Sequence, residues 1–373
     1  MTSAERTIRS LLQKAGIEPG GGNPWDLRVH NPDLYAGVLS KGSLGLGEAY
    51  MDGWWDCEDL AGCFERATRS GVQRQVRPAR LVIPYIKERL LNMQTRRRSW
   101  KVARQHYDLG NDLYEAMLDP YMQYTCAYWK DGDDLASAQR RKLELICRKL
   151  RLETGMRVLD TGCGFGGFAK YAAEHYGVEV YGVTLSKKQA AFGRELCKGL
   201  PVTIEVKDYR DVTDTDFDRV ASIGIMEHVG TKNYRSYLEQ MRDCLPEDGL
   251  MLLHTIGSET TGKITDRWIS KYVFPNSILP SAAELATAAE HVFVLEDWHN
   301  FGVSYAKTLL AWNDNCEAAW GHLPGEVYDE RFRRMWRYYL LACAGAFESR
   351  SIQLWQLVLS KGCLLYTSPS PRD

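Results

Sequence analysis

Nowhere in the chain does an uninterrupted apolar run reach the roughly 18 residues needed to cross a bilayer, which argues against a membrane span. Met1 to Ser10 carries charges and lacks the apolar stretch of a secretory signal. The ten cysteines show neither a CxxC pair nor a His/Cys ligand spacing. That scatter argues for reduced thiols, against a disulfide framework, and for no structural metal. A charge excess of one sign is missing too, the formal sum being −1. With 373 residues, 45% of them hydrophobic, the expectation is a cytosolic enzyme with one large domain and a smaller one.

What is present centres on Asp160-Thr161-Gly162-Cys163-Gly164-Phe165-Gly166-Gly167. It follows the strand-like Met156 to Leu159 and precedes the helical run Phe168 to His175. Gly162, Gly164 and Gly166 let the backbone approach a ligand, and the helix start offers unpaired amides. The spacing is GxGxG, not GxGxxG. Together with Asp160, the shorter form suits S-adenosylmethionine better than a dinucleotide, because this ligand has no pyrophosphate for the helix dipole to hold. The rival reading is a tight strand-to-helix corner that binds nothing.

Further strand-like runs follow at Val178 to Val183, Val202 to Val206, Phe217 to Ile223, Gly249 to Thr255, Val292 to Asp297 and Ile352 to Lys361, most of them separated by helical patterns. This alternation predicts an α/β Rossmann-like fold: a seven-stranded, mostly parallel sheet with helices on both faces and ligands at the carboxyl ends of the strands. The second strand ends in Thr184-Leu185-Ser186, with Gln189 one turn on, where a nicotinamide enzyme places an acid for the ribose. The third ends in Lys207-Asp208-Tyr209-Arg210. Asp208 and Tyr209 can hold an adenine's amine and face there, or Asp208 can cap the next turn.

Ahead of the sheet, Glu5 to Ala15 reads as an amphipathic helix stopped at Gly16. A second helix is predicted at Asn31-Pro32-Asp33, with Asn31 as cap and Pro32 in the first helical position. The aromatic-rich stretch Ser43 to Trp55 is read as a small core, the other reading being a patch for lipid or a second subunit. Residues 66 to 104 then carry twelve Arg or Lys against the single acid Glu88, a local +11. Interleaved with Leu81, Ile83, Tyr85, Ile86, Leu90 and Leu91, these charges suit an anionic lipid surface better than a nucleic acid, since stacking aromatics and nucleic-acid fold signatures are missing. A solvated linker helix is the plainer alternative.

Strand-end residues gather in such a fold even when far apart in sequence. Glu227-His228-Val229-Gly230 follows the fourth strand and His254-Thr255-Ile256-Gly257 ends the fifth. Tyr124-Thr125-Cys126-Ala127-Tyr128-Trp129 precedes the first as a candidate lid. Glu227 and His254 would flank one crevice, where they can move a proton or hold a group that does. Taken singly, Glu227 can cap a helix and His254 can be satisfied in the core.

Those segments, with His106-Tyr107-Asp108-Leu109-Gly110-Asn111-Asp112, Ser43-Leu44-Gly45-Leu46-Gly47-Glu48 and Tyr50-Met51-Asp52-Gly53-Trp54-Trp55, resemble the bacterial cyclopropane-fatty-acid synthases over nearly the whole chain. The resemblance implies methyl transfer from S-adenosylmethionine to a cis double bond of a phospholipid acyl chain, with ring closure assisted by bound bicarbonate. By that likeness Cys126, Glu227, His254, Ile256 and Tyr305 match the bicarbonate pocket, and Cys343 matches a family cysteine read as packed in a helix near it. The cofactor set implied is Tyr107, Tyr124, Thr125, Asp160, Gly162, Gly164, Gly166, Thr184, Leu185, Ser186, Gln189, Asp208, Tyr209 and Arg210. A homodimer on the inner face of the membrane is implied as well, with no nucleic-acid partner.

The expected domains are a lipid-docking or dimerisation region at 1–70, a basic linker at 71–104 and a catalytic domain at 105–362. Thr265 to Leu285 lines an acyl tunnel or packs as ordinary core. The tail Cys363 to Asp373 departs from the family pattern and resembles translated sequencing-adapter sequence, so it is set aside from fold reasoning. Two other classes stay open: a methyltransferase of the same fold that leaves a methyl branch, and a non-catalytic lipid-binding protein.

Overall fold

The computed structural model describes residues 1–72, 75–76, 110–262 and 265–362. Most of the basic segment, the His106-to-Leu109 part of the family motif with Tyr107, and the tail from 363 lie outside the described residues. Contacts divide the chain into two units. One draws on the described parts of Met1–Asn92, Ile264–Asn276 and Tyr305–Ile352, and the other on those of Met93–Lys263, Ser277–Ser304 and Gln353–Asp373.

The first unit is mainly helical, with β1 (Arg28–Val29) and β2 (Trp55–Asp56) as a two-residue antiparallel pair. Its first helix, Ser3–Lys14, starts on a Thr2 side-chain cap and stops at Gly16, whose φ of +67° suits glycine. The second, Asp33–Lys41, differs from the expectation by one position. Pro32 precedes the helix, and Asn31 Oδ1 accepts the Asp33 amide at 2.9 Å. The aromatic stretch forms core. Tyr50 and Trp55 are buried and meet edge to face at 5.0 Å, and Tyr338 lies 5.5 Å from Tyr50. Trp268, from the segment read as tunnel or core, is fully buried with its ring 4.5 Å from Tyr338. A Cβ on Gly47 would lie 2.3 Å from that indole, so glycine is required for the tryptophan to seat.

The second unit carries a seven-stranded sheet: β3 (Arg157–Asp160), β4 (Glu179–Thr184), β5 (Val202–Val206), β6 (Arg219–Ile223), β7 (Leu250–Ser258), β8 (Val294–Asn300) and β9 (Ile352–Ser360). Their order is β5-β4-β3-β6-β7-β9-β8. The first five strands pair in parallel, and β8 runs antiparallel to β9. Both faces are covered, which explains the near-continuous apolar strands. Leu159, Val220, Met251 and Leu253 pack on one face beneath helices Tyr234–Asp243 and Ala282–Ala289. Val158, Ala221, Leu250 and Leu252 pack on the other beneath Leu135–Lys149 and Gly167–Tyr176. From β3 the chain winds outward through β4 to β5 and then crosses back to β6. The switch point of the sheet therefore lies between the carboxyl ends of β3 and β6, where a crevice for a ligand opens. Among the described residues no helix is long and apolar enough to cross a membrane.

Candidate active site

Asp160 ends β3, in register with Ala221 of β6 and Gly182 of β4. Its carboxyl is buried, with Oδ1 lacking a hydrogen-bond partner. Burial pushes its pKa up to about 7, against the opposing pull of the Gly162 amide and the Lys142 charge. Of the glycines that follow, two hold left-handed backbone and the third faces a close side chain. A Cβ on Gly162 would sit 1.9 Å from Ile225 Cδ1, and Gly164 and Gly166 hold φ of +52° and +83°. Gly166 caps the helix Gly167–Tyr176 and offers no side-chain bond to its first amides.

At the end of β4, Thr184 Oγ1 donates to Gln189 Oε1 at 3.1 Å, and Ser186 caps the helix Lys187–Leu196 through the Gln189 amide. Leu185 is half-buried between them. No carboxylate stands there to claim a nicotinamide ribose. After β5, Asp208 caps the next turn, the plainer of its two readings: its side chain accepts the Arg210 amide at 3.0 Å. It is also gripped by the Arg210 guanidinium, Nε at 2.7 Å and Nη2 at 2.6 Å. Tyr209 turns its ring edge-on to Tyr237 at 4.9 Å.

Glu227 lies in the short helix Met226–Val229 just past β6, yet it does not cap that helix. Its Oε1 accepts the Ile256 amide at 2.6 Å, and its Oε2 is buried without a partner. Burial raises this carboxyl to about 7, the Ile256 bond pulling the other way. His254, in register with Ile223, is fully buried. The Gln356 side-chain Nε2 donates to its Nδ1 at 3.2 Å, which leaves the ring proton on Nε2, an atom with no partner. Burial first, then the Lys142 and Lys149 charges, hold the imidazole neutral. Phe301 packs 6.0 Å from it, and Tyr128 meets Phe301 edge-on at 5.2 Å. The carboxyl of Glu227 is thus tied to the backbone two residues from His254, and both present one orphaned polar atom.

Thr125 and Cys126 belong to the same unit, with the Cys126 thiol donating to the Ala127 carbonyl at 3.1 Å. Tyr124 packs edge-on to Tyr114 at 5.2 Å. Tyr305 and Cys343 belong to the first unit. The Tyr305 ring lies 4.5 Å from Phe347. Cys343 sits in the helix Glu330–Glu348, where burial pushes its thiol up to about 12. That keeps it protonated and a poor nucleophile.

Four side chains of this neighbourhood escaped the sequence reading: Asp119, Gln139, Lys142 and Gln356. Three of them sit inside otherwise apolar stripes. Gln139 and Lys142 lie on the buried face of the helix Leu135–Lys149 among Ala138, Leu145 and Ile146, and Gln356 lies in the buried strand β9. A polar residue at a core position of a periodic pattern was the available signal.

A sheet of this order, with a glycine turn opening at its switch point, defines an S-adenosylmethionine-dependent methyltransferase of class I. The solved mycolic acid cyclopropane synthase CmaA1, complexed with SAH and CTAB, superposes with a TM-score of 0.66 at 31% identity, covering 70% of this chain and 98% of that one. Among curated proteins, the cyclopropane-fatty-acyl-phospholipid synthase of Escherichia coli K12 is 52% identical over 96% of this chain and 93% of its own length. A probable fatty acid methyltransferase of Pseudomonas putida is 37% identical over 95% and 93%. The mycolic acid cyclopropane synthetase family matches residues 94–357, and the chain belongs to that family.

Proposed function

We propose that the protein is a cyclopropane-fatty-acyl-phospholipid synthase that uses bound bicarbonate as its base. S-adenosylmethionine occupies the crevice at the ends of β3 to β5. The π pair of a cis alkene attacks its methyl carbon, the S–CH3 bond breaks, and a cation is left on the acyl chain. Loss of a proton from the new methyl lets the last carbon–carbon bond close the ring. An isolated alkene is a feeble nucleophile, so alignment and dryness carry much of the acceleration. Phe301, packed against His254 and itself edge-on to Tyr128, supplies apolar cover there.

The observation that carries this reading is the pair of buried orphan atoms, Glu227 Oε2 and the protonated Nε2 of His254. One accepts and the other donates, which is what a small anion bearing both a hydroxyl and free oxygens needs. Bicarbonate held there supplies a base that takes the methyl proton. Glu227 orients its hydroxyl, His254 donates to an oxygen, and Cys126 joins the set by family likeness. The Ile256 amide acts indirectly, because Glu227 already engages it. Incubation with S-adenosylmethionine and unsaturated phospholipid vesicles, followed by mass analysis of the fatty acids, tests the assignment. A gain of one CH2 with loss of the double bond supports it, and ring formation should weaken when bicarbonate is stripped from the buffer. The Pseudomonas putida relative is named a probable fatty acid methyltransferase; a methyltransferase that leaves a methyl branch is the second reading, and the same product analysis separates the two.

Region 1–70 and the basic linker 71–104 dock a homodimer on the anionic inner face of the membrane, delivering acyl chains to the 105–362 catalytic domain. Each basic side chain near the headgroups contributes roughly 1 kcal/mol. Vesicle flotation with Arg96, Arg97 and Arg98 changed to Glu tests this, and undiminished flotation at low salt would count against it.

A further inference from the structure

Lys142 is fully enclosed on the helix Leu135–Lys149, and its ammonium donates to Gln123 Oε1 and, at 2.9 Å, to Thr125 Oγ1. Gln139, one turn earlier, reaches the same segment, its Nε2 donating to the Thr125 carbonyl at 2.8 Å. From the other side Asp119 Oδ1 accepts the Gln123 amide at 2.8 Å. Between these ties Met122 is held at a φ of +52°, a conformation a non-glycine residue adopts only when its surroundings impose it. The segment also presses on the glycine turn. A Cβ on Gly167 would lie 1.7 Å from the Tyr121 carbonyl and 2.3 Å from Gln123 Nε2.

We propose that Lys142 is a positioning residue for the methyl donor: a buried cationic latch that fixes Gln123 to Cys126 against the start of the glycine-turn helix. The inference rests on the reading that this turn takes S-adenosylmethionine. The groups facing the ammonium are Asp119, Asp160 and Cys126, with neutral His254 beside it. Burial holds Lys142 down to about 8, so the latch loses its charge within the range where the enzyme can be assayed. Above that the charge-assisted bonds weaken and the segment loosens. Asp160 titrates lower, near 7, and shapes the acid side of the profile.

Calorimetric titration of the full chain with S-adenosylhomocysteine from about pH 6.5 to about pH 9.5 tests the latch. Lys142→Met should weaken binding about tenfold or more, the loss expected for two bonds from a charged donor, and should flatten the alkaline fall seen in the parent. Gln123→Glu sets a carboxylate against the ammonium and should move that fall to higher pH. If Lys142→Met does not fold, Gln123→Glu decides alone. Parent-like affinity and profile in Lys142→Met, or an unmoved alkaline fall in Gln123→Glu, overturns the latch. Failure of the parent itself to bind S-adenosylhomocysteine overturns the donor reading beneath it.

Discussion

Replacing Glu227 by Gln should make the fold more stable at alkaline pH while removing activity. Burial raises this carboxyl from an ordinary 4.5 to about 7, so the folded protein holds its proton more tightly than the unfolded chain does. A group of that kind contributes stability that is complete below about pH 4.5 and is lost as pH climbs through 7. At about 1.4 kcal/mol per pH unit, the whole loss is about 3 kcal/mol, of which about 2 to 3 kcal/mol falls between pH 5 and pH 8.5. Glutamine is isosteric, still accepts the Ile256 amide through Oε1 and does not titrate. Asp160 rises to a similar value but is present in both proteins, so its contribution cancels. Urea denaturation across this range should therefore show the variant gaining on the parent by about that amount, with a Tm gap widening by several degrees. Turnover on vesicles should fall by about a hundredfold or more. A stability gap that stays constant with pH would refute the reasoning, because it would place the carboxyl in water and near its ordinary range.

Gly47→Ala should lower Tm, costing about 1–3 kcal/mol, because its Cβ would lie 2.3 Å from the Trp268 indole; a thermal melt followed by tryptophan fluorescence checks it. Gln356→Glu should draw the ring proton of His254 onto Nδ1, turn Nε2 into an acceptor and cut kcat about tenfold or more. Imidazole nitrogen NMR reads the tautomer directly, and an unchanged tautomer would dismiss this account of the side chain. Cys343→Ala should leave turnover within about twofold, since a thiol held near 12 is not a nucleophile, whereas a complete loss would give that cysteine a chemical role.

The sheet was legible because its inner strands bury both faces and so read as short apolar runs bounded by turns. Val202 to Val206 coincides with β5, and the other strands match their sequence runs to within a few residues. Asp160 and Glu227 were reachable by one rule, that strand ends converge at the switch point, whereas β7 runs on to Ser258 and holds His254 within the strand, opposite the end of β6. Less visible was what holds them. Lys142 and Gln139 interrupt an apolar helix face, which marks them as unusual, but their partners Gln123 and Thr125 cannot be read from the sequence. Asp208 shows the same limit from the other direction. Its carboxylate suggested an adenine contact or a cap, and the bidentate grip of Arg210 depends on a turn geometry that propensity does not encode. The first unit gathers segments separated by hundreds of residues, and nothing in the periodicity of Arg267–Tyr272 or Glu330–Glu348 announces that they share contacts with the N-terminal helices.

Asp160 Oδ1, Glu227 Oε2 and His254 Nε2 are buried orphans: Asp160 ends β3, Glu227 follows β6, and His254 lies within β7 opposite Ile223, the last residue of β6. Leaving a buried polar atom without a partner costs about 1–3 kcal/mol, so three together take a substantial share of an ordinary domain's net stability. An apolar residue at each position would fold more securely. Ligands that satisfy these atoms would return the stability they withhold. Gathered around the ends of β3 and β6, beside the glycine turn, these three are better explained by what the site must bind than by any demand of the fold.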